Sequence, residues 1–357
     1  MKKLTITTKS RGNFITYAGV ILAFVILQVM ASGGMISSTL KGQLVPICAY
    51  VVVALALNLT VGILGELSLG HAGFMSVGAF AGAVAASALQ NAIPMGGLRL
   101  AIAMVIGAIF AGIAGVLIGV PVLRLNGDYL AIVTLAFGEI IKSLINNLYI
   151  GMDDRGLHSS FINNTISLEE GGRMILSGPM GIPSITKIST FTAGFILIMI
   201  ALFVIFNLVN SRTGRAIMAL RDNRIAAESV GINVTQYKLT AFVISAALAG
   251  AAGTLFAMGQ NTIIASKFDF NTSILILVFV VLGGQGRMWG SIIAAAALTV
   301  LPELLREFAD YRMLVYAIVL ILVMLGTNNS QLKTLLGKLV PAKLRKEAPQ
   351  DEQHAQA

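Results

Sequence analysis

Residues 211–253 read SRTGRAIMALRDNRIAAESVGINVTQYKLTAFVISAALAGAAG, and the change of character within them decides the fold. Charges at Arg212, Arg215, Arg221, Asp222, Arg224, Glu228 and Lys238 give way to a run from Leu239 to Gly259 that has none. An uncharged apolar run of about 20 residues matches what an α-helix needs to cross a hydrocarbon layer roughly 30 Å thick. The polar half is rich in helix formers from Arg215 to Ser229 and stops at Gly231, where a left-handed residue ends a helix at low cost. Asp222 and Asn223 weaken a single continuous helix, so a helix–turn–helix is an open alternative there. Residues 211–238 therefore read as a basic, helical surface segment feeding directly into a membrane span.

The rest of the chain follows this alternation. Of 357 residues, 56% are hydrophobic and only 11% charged, and the mean hydropathy is +0.86. A soluble domain carries about 25% charged residues and cannot hide this much apolar surface. Apolar segments lie at about 14–31, 44–62, 70–89, 99–120, 129–149, 191–210, 239–259, 272–284, 289–303 and 312–326. The first has Lys2, Lys3, Lys9 and Arg11 before it but is longer than a signal-peptide core, so it reads as an uncleaved anchor. The expectation is an all-α, polytopic transmembrane bundle of about ten spans. With the N-terminus inside, 16 of the 25 basic residues fall on the inner side, which places both termini in the cytoplasm. The formal charge of +9 then reflects inner loops, and no basic stretch is interleaved with aromatics as nucleic-acid binding requires. The single cysteine, Cys48, excludes a disulfide framework and a cysteine-based metal site, and no metal is expected.

This divides the chain into an inner segment 1–13, a transmembrane domain 14–326 and a basic inner tail 327–357. Within the domain, 150–190 forms an outer polar loop with Asp153, Asp154, Glu169 and Glu170, and 211–238 the inner one. Small residues four apart (Gly78 and Gly82, Gly115 and Gly119, Gly286 and Gly290) mark helix faces for close packing, as do Ala246, Gly250 and Gly253. Polar groups in or beside apolar spans are the candidates for a substrate path, since they are costly in lipid. These are Asn58, Glu66, Ser68 and His71, with Thr60 nearby. Glu66 and His71 read more readily as hydrogen-bonding residues with a structural role, and Asn58 carries the same ambiguity. Glu139 and Lys142 suit an interfacial ion pair, and Asp128 a cap for the span that opens at Tyr129.

Ala226-Ala227, followed by three residues and Gly231, resembles the EAA loop of ABC importer permeases. The string GRAIMALRDNRIAAESVGINVTQYKLTAFVISAALAGAAG is similar to LivM-type permeases of branched-chain amino-acid importers. So are GILGELSLGHAGFMSVGAFAGA at 62–83, LRLNGDYLAIVTLAFGEIIK at 123–142 and LGGQGRMWGSIIAA at 282–295. Ile225 stands where the general loop has a glutamate. The resemblance implies a permease subunit in a bacterial inner membrane that imports leucine, isoleucine and valine. Urea or short amides are the alternative cargo. It implies a sister permease, two cytoplasmic ATPase subunits and a periplasmic binding protein as partners. Arg215, Arg221, Asp222, Ala226, Ala227 and Gly231 would then dock on an ATPase. No Gly-x4-Gly-Lys-Ser/Thr loop is present, so the chain is not expected to be an enzyme and ATP would be hydrolysed by the partner subunits, with no cofactor bound here. Two rivals fit less well. A hydrolase built on Ser68 and His71 lacks an orienting third group. An ion-coupled transporter would keep acids at mid-membrane depth, whereas these acids cluster near interfaces.

Overall fold

The computed structural model describes residues 8–34, 37–123, 129–153, 156–161 and 172–304, together with 318 and 321. Its elements in chain order are α1 (Thr8–Ser32), α2 (Ser38–Asn58), a π-helical turn (Leu59–Leu64), α3 (His71–Ala88), α4 (Gly96–Val122) and α5 (Tyr129–Asn146). Strands β1 (Leu148–Asp153), β2 (Gly156–Phe161) and β3 (Arg173–Ser177) follow. Then come α6 (Phe191–Asn210), α7 (Arg212–Asp222), α8 (Arg224–Ser229), α9 (Val234–Ala257), α10 (Phe270–Gly283) and α11 (Met288–Leu304). The chain divides into residues 1–300, which hold the bundle described below, and 301–357, of which only 301–304, 318 and 321 are described.

Among the described residues, six helices are long and apolar enough to cross a membrane: 38–64, 71–88, 96–122, 129–146, 191–210 and 234–257. Three shorter apolar helices, 16–32, 270–283 and 288–303, occupy the first, eighth and ninth expected segments. The tenth, 312–326, falls outside the described residues except for 318 and 321, as do most of the two terminal segments and the Asp128 cap. The apolar window of α2 and its π turn is 89% buried whereas that of α5 is 22% buried, which makes α2 central and α5 peripheral. Peripheral helices turn large apolar side chains outward, among them Val105, Ile109, Phe110 and Leu117 on α4 and Ile196, Ile200 and Phe203 on α6. In water such a surface would drive aggregation; in lipid it is matched by acyl chains.

Apolar burial drives little helix association in lipid, so close approach of backbones has to hold the centre together. At the crossing of α3, α4 and α9, a methyl added to Gly78 would lie 2.1 Å from the Gly250 carbonyl oxygen, and one on Gly253 1.9 Å from that of Met75. Thr254 donates its hydroxyl across the same contact to Gly78 O at 2.8 Å. The small faces read from Gly78, Gly82, Ala246, Gly250 and Gly253 are therefore helix contacts. The Gly286 and Gly290 pair is a different case. Gly286 (φ +79°) lies in the turn before α11 and meets Gly62, while Gly290 meets Gly283, so the two do not share a helix face.

The description as all-α needs one correction. Residues 148–177 include a three-stranded antiparallel sheet, ordered β2-β1-β3. Leu148 pairs with Phe161 and Asp153 with Gly156, and a bulge falls between Ile150 and Gly151 against β3. The strands are only five or six residues long and carry Gly, Ser and His, so they show no strong alternation; their pairing with one another supplies the order that propensity does not.

Candidate functional site

The surface segment is two helices rather than one. Ser211 caps α7 by accepting from Gly214 N at 3.1 Å. Asn223 ends α7 and caps α8, its Oδ1 accepting from Ala226 N at 3.0 Å. Gly231 then adopts φ +86°, the left-handed conformation that suits glycine, before Asn233 caps α9 by accepting from Gln236 N at 3.1 Å. Leu220, Ala227 and Val234 form a small buried cluster that folds the two helices onto the foot of α9. Ile225 and Val230 point away from it and are 81% and 75% exposed. Arg224 pairs with Glu228 at 3.1 Å, and Arg215 donates to Asn210 O at 3.2 Å.

One residue carries this element into the bundle. Arg221 Nη1 donates to Gly62 O at 3.0 Å, satisfying a carbonyl near the end of the π turn, while Nε and Nη2 engage Asp222 at 3.0 and 2.9 Å. Its aliphatic stem crosses Gly65 (φ +79°) so closely that a Cβ there would sit 2.5 Å from Arg221 Cγ. Glycine at 65 thus meets both a left-handed backbone and a steric requirement.

The expected substrate-path residues surround this joint, and most already have protein partners. Asn58 is fully buried; its Nδ2 donates to Ser291 Oγ at 2.9 Å and its Oδ1 accepts from Gly286 N at 2.8 Å. Asn58 therefore fastens the α10–α11 turn to α2. The Glu66 carboxylate pairs with Lys238 on α9, and both side chains are largely withdrawn from solvent. Ser68, His71 and Ser245 form a chain: Ser68 Oγ to His71 Nδ1 at 3.1 Å, His71 Nε2 to Ser245 Oγ at 2.7 Å, and Ser245 Oγ to Ala56 O. The single hydroxyl hydrogen of Ser245 goes to the Ala56 carbonyl, so His71 donates from Nε2 and accepts the Ser68 hydroxyl at Nδ1. This arrangement uses both nitrogens of a neutral imidazole to bind α3, α9 and α2 together. Thr134 on α5 completes the collar by accepting from Leu69 N at 3.1 Å. Thr60 is buried, and its hydroxyl has no hydrogen-bond partner among the described residues.

Sequence alone marks one side of each contact and misses the other. Lys238 reads only as an inner positive charge, and Ser245 and Ser291 lie unremarked inside apolar runs. Their partners are 172, 174 and 233 positions away, beyond any local pattern. A lone serine in an otherwise apolar span is the available signal. On the opposite side of the bundle Glu139 and Lys142 form the expected i,i+3 ion pair.

Comparison with known proteins bears on this arrangement. A family model described as branched-chain amino acid transport system, permease component, matches residues 39–324. The high-affinity branched-chain amino acid transport system permease protein LivM of Escherichia coli strain K12 is 41% identical over 286 residues, and that of Salmonella typhimurium 40%. Each alignment covers 77% of this chain and 66% of the relative, so the chain spans just under two thirds of their length. The ribose import permease protein RbsC of Haemophilus influenzae is 27% identical over 293 residues, covering 80% of this chain and 83% of that one. No solved structure matches the chain.

Proposed function

This chain belongs to the family of branched-chain amino acid transport system permease components, and from that premise we propose that it is the membrane-spanning permease subunit of an ATP-driven importer for leucine, isoleucine and valine. It works as one half of a heterodimer with a sister permease in a bacterial inner membrane, with ten crossings and both termini in the cytoplasm. Two ATPase subunits bind beneath it and hydrolyse ATP, and a soluble binding protein delivers the amino acid from the periplasm. Both high-identity relatives carry the words branched-chain amino acid in their names, which supports this cargo over urea.

The observation that carries the reading is the folded α7–α8 element, seated on the foot of α9 by Leu220, Ala227 and Val234 and joined to the π turn by Arg221. Ile225 and Val230 stand exposed on a polar segment, where an apolar contact with a cytoplasmic partner removes them from water. Arg215, Arg221, Asp222, Ala226, Ala227 and Gly231 belong to this docking element. Closure of the ATPases pushes α7. Arg221 transmits that push to Gly62 and Gly65, hence to the inner end of α2, and Asn58 passes it to the α10–α11 turn. Lys238 and Glu66 keep the foot of α9 moving with the 65–70 loop. The result is a rigid-body tilt that exchanges access between the two sides. In this reading Asn58, Glu66, Ser68 and His71 act at the inner end of the path as the jointed collar around which the tilt occurs.

The test is uptake of labelled leucine, with urea and ribose as controls, by proteoliposomes holding the complete complex. Arg221→Glu and Gly231→Pro should each lower ATP-driven leucine uptake at least ten-fold, raise ATP hydrolysis per leucine moved, and leave membrane insertion intact. Full coupled uptake in both variants refutes the transmission through α7, and ATP-independent uptake refutes the importer class.

A further inference from the structure

Two cavities lie between α1, α6 and α11, the first at the α7–α8 end of α6 beside Phe206 and the second toward the other end of α6 beside Phe191 and Phe195. One, of about 420 Å³, is bordered by Thr16, Phe206, Arg287, Trp289 and the backbone of Gly283, Gly286 and Gly290. The other, of about 370 Å³, runs from Trp289 along α1, α2, α6 and α11 and is lined by Val20, Phe24, Val51, Ile198, Ile292 and Ala296 among others. Trp289 borders both, so the two are consecutive compartments of one seam, the first bearing a cation and the second wholly apolar.

The seam exists because α1 is fastened only along its edges. Phe24 stacks on Phe195 with centroids 4.0 Å apart, and Tyr17 meets Phe206 edge-on at 5.5 Å, which ties α1 to α6. Gly19 accepts the Trp289 ring so closely that a Cβ there would lie 2.3 Å from it, which ties α1 to α11. Between these contacts the groove stays unfilled, with Cys48 of α2 at its floor. Arg287 is exposed, and its guanidinium has no protein partner among the described residues.

We propose that this seam binds one anionic phospholipid, with its phosphate on Arg287 and one acyl chain in the groove behind Trp289. A charged compartment opening into an apolar one through an interfacial tryptophan has the polarity profile of a phospholipid crossing from headgroup to tail. A flexible acyl chain adapts to the narrow space. The cation selects a lipid of net negative charge over a zwitterionic one. The proposal rests on membrane insertion and not on the cargo, so it stands or falls apart from the transport reading.

Trp289 is the one tryptophan in the sequence, so intrinsic fluorescence reads this site directly. The full chain, purified in a nonionic detergent, is titrated with phosphatidylglycerol or phosphatidylcholine brominated in the acyl chains. Saturable quenching is expected, with a half-point about five-fold lower for phosphatidylglycerol, the preference one interfacial arginine confers. Arg287→Gln should raise the phosphatidylglycerol half-point to that of phosphatidylcholine. Ala296→Phe, which fills the groove, should remove saturable quenching by both. Arg287 lies exposed at the surface, so its variant provides the decisive comparison even if Ala296→Phe misfolds. Equal half-points in the unmodified chain, or a preference that survives Arg287→Gln, would mean annular lipid only and overturn the proposal. Absence of quenching by either lipid overturns it as well and leaves the seam to a protein partner.

Discussion

Removing one member of the Glu66–Lys238 pair should damage this protein far more than removing both. The two side chains are only 13% and 7% exposed, so solvent screens them little. Glu66→Gln leaves an ammonium group without its counterion beside the foot of α9, and Lys238→Met leaves a carboxylate in the same position. Breaking a buried pair from one side costs about 3–5 kcal/mol, because the remaining charge stays desolvated and uncompensated. That corresponds to a loss of roughly two to three and a half orders of magnitude in the folding equilibrium constant, at 1.4 kcal/mol per decade. The double variant Glu66→Gln/Lys238→Met has no orphan charge and should return to within about 1 kcal/mol of the unmodified chain. The four proteins are compared by titrating detergent-solubilised chain with sodium dodecyl sulfate and following helical circular dichroism. The expected coupling energy is large and restores stability in the double variant. Single variants costing under about 1 kcal/mol, or a double variant as damaged as the sum of the singles, refute the buried-pair argument. The first outcome would place the pair among exposed bridges of negligible weight.

Two further perturbations follow from particular geometries. A Cβ on Gly78 would lie 2.1 Å from the Gly250 carbonyl, so Gly78→Ala should cost about 1–3 kcal/mol in the same titration as α3 and α9 are forced apart. Gly97→Ala has open space around it within α4 and should be neutral or slightly stabilising, so equal losses at both positions would undo the close-approach reading. Asp269 caps α10, and partial burial raises its carboxyl pKa. The Thr272 amide, the Asn271 and Thr272 side chains and the charge of Lys142 outweigh that effect and hold it below its ordinary value. A depressed folded value means that the stabilisation is complete above the ordinary carboxyl range and fades as pH falls through the folded value. The stability difference between the unmodified chain and Asp269→Asn, which keeps a cap but does not titrate, should therefore shrink below about pH 4. A difference constant from pH 6 to pH 2 would contradict it.

Whatever depends on local pattern was readable along the chain. The run from Leu239 to Gly259 crosses a membrane because no charge interrupts it, and α9 covers most of it. Asp222-Asn223 interrupts the surface helix because asparagine offers its side chain to a backbone amide, and α7 and α8 meet there. Gly78, Gly250 and Gly253 announced close packing because lipid gives helices little other reason to associate. Whatever depends on partners distant in sequence was decided only by the tertiary structure. Five- and six-residue strands acquire their order from one another, so residues 150–190 read in sequence as a polar loop, although strands lie within 148–177. A four-residue spacing placed Gly286 and Gly290 on one helix, but Gly286 accepts a positive φ and reaches Asn58 across 228 positions. Glu66, His71 and Asn58 were conspicuous as polar groups near lipid. Which of them face a path and which face Lys238, Ser245 and Ser291 is a matter of helix adjacency, and adjacency is set by packing over the whole bundle rather than by any stretch of sequence.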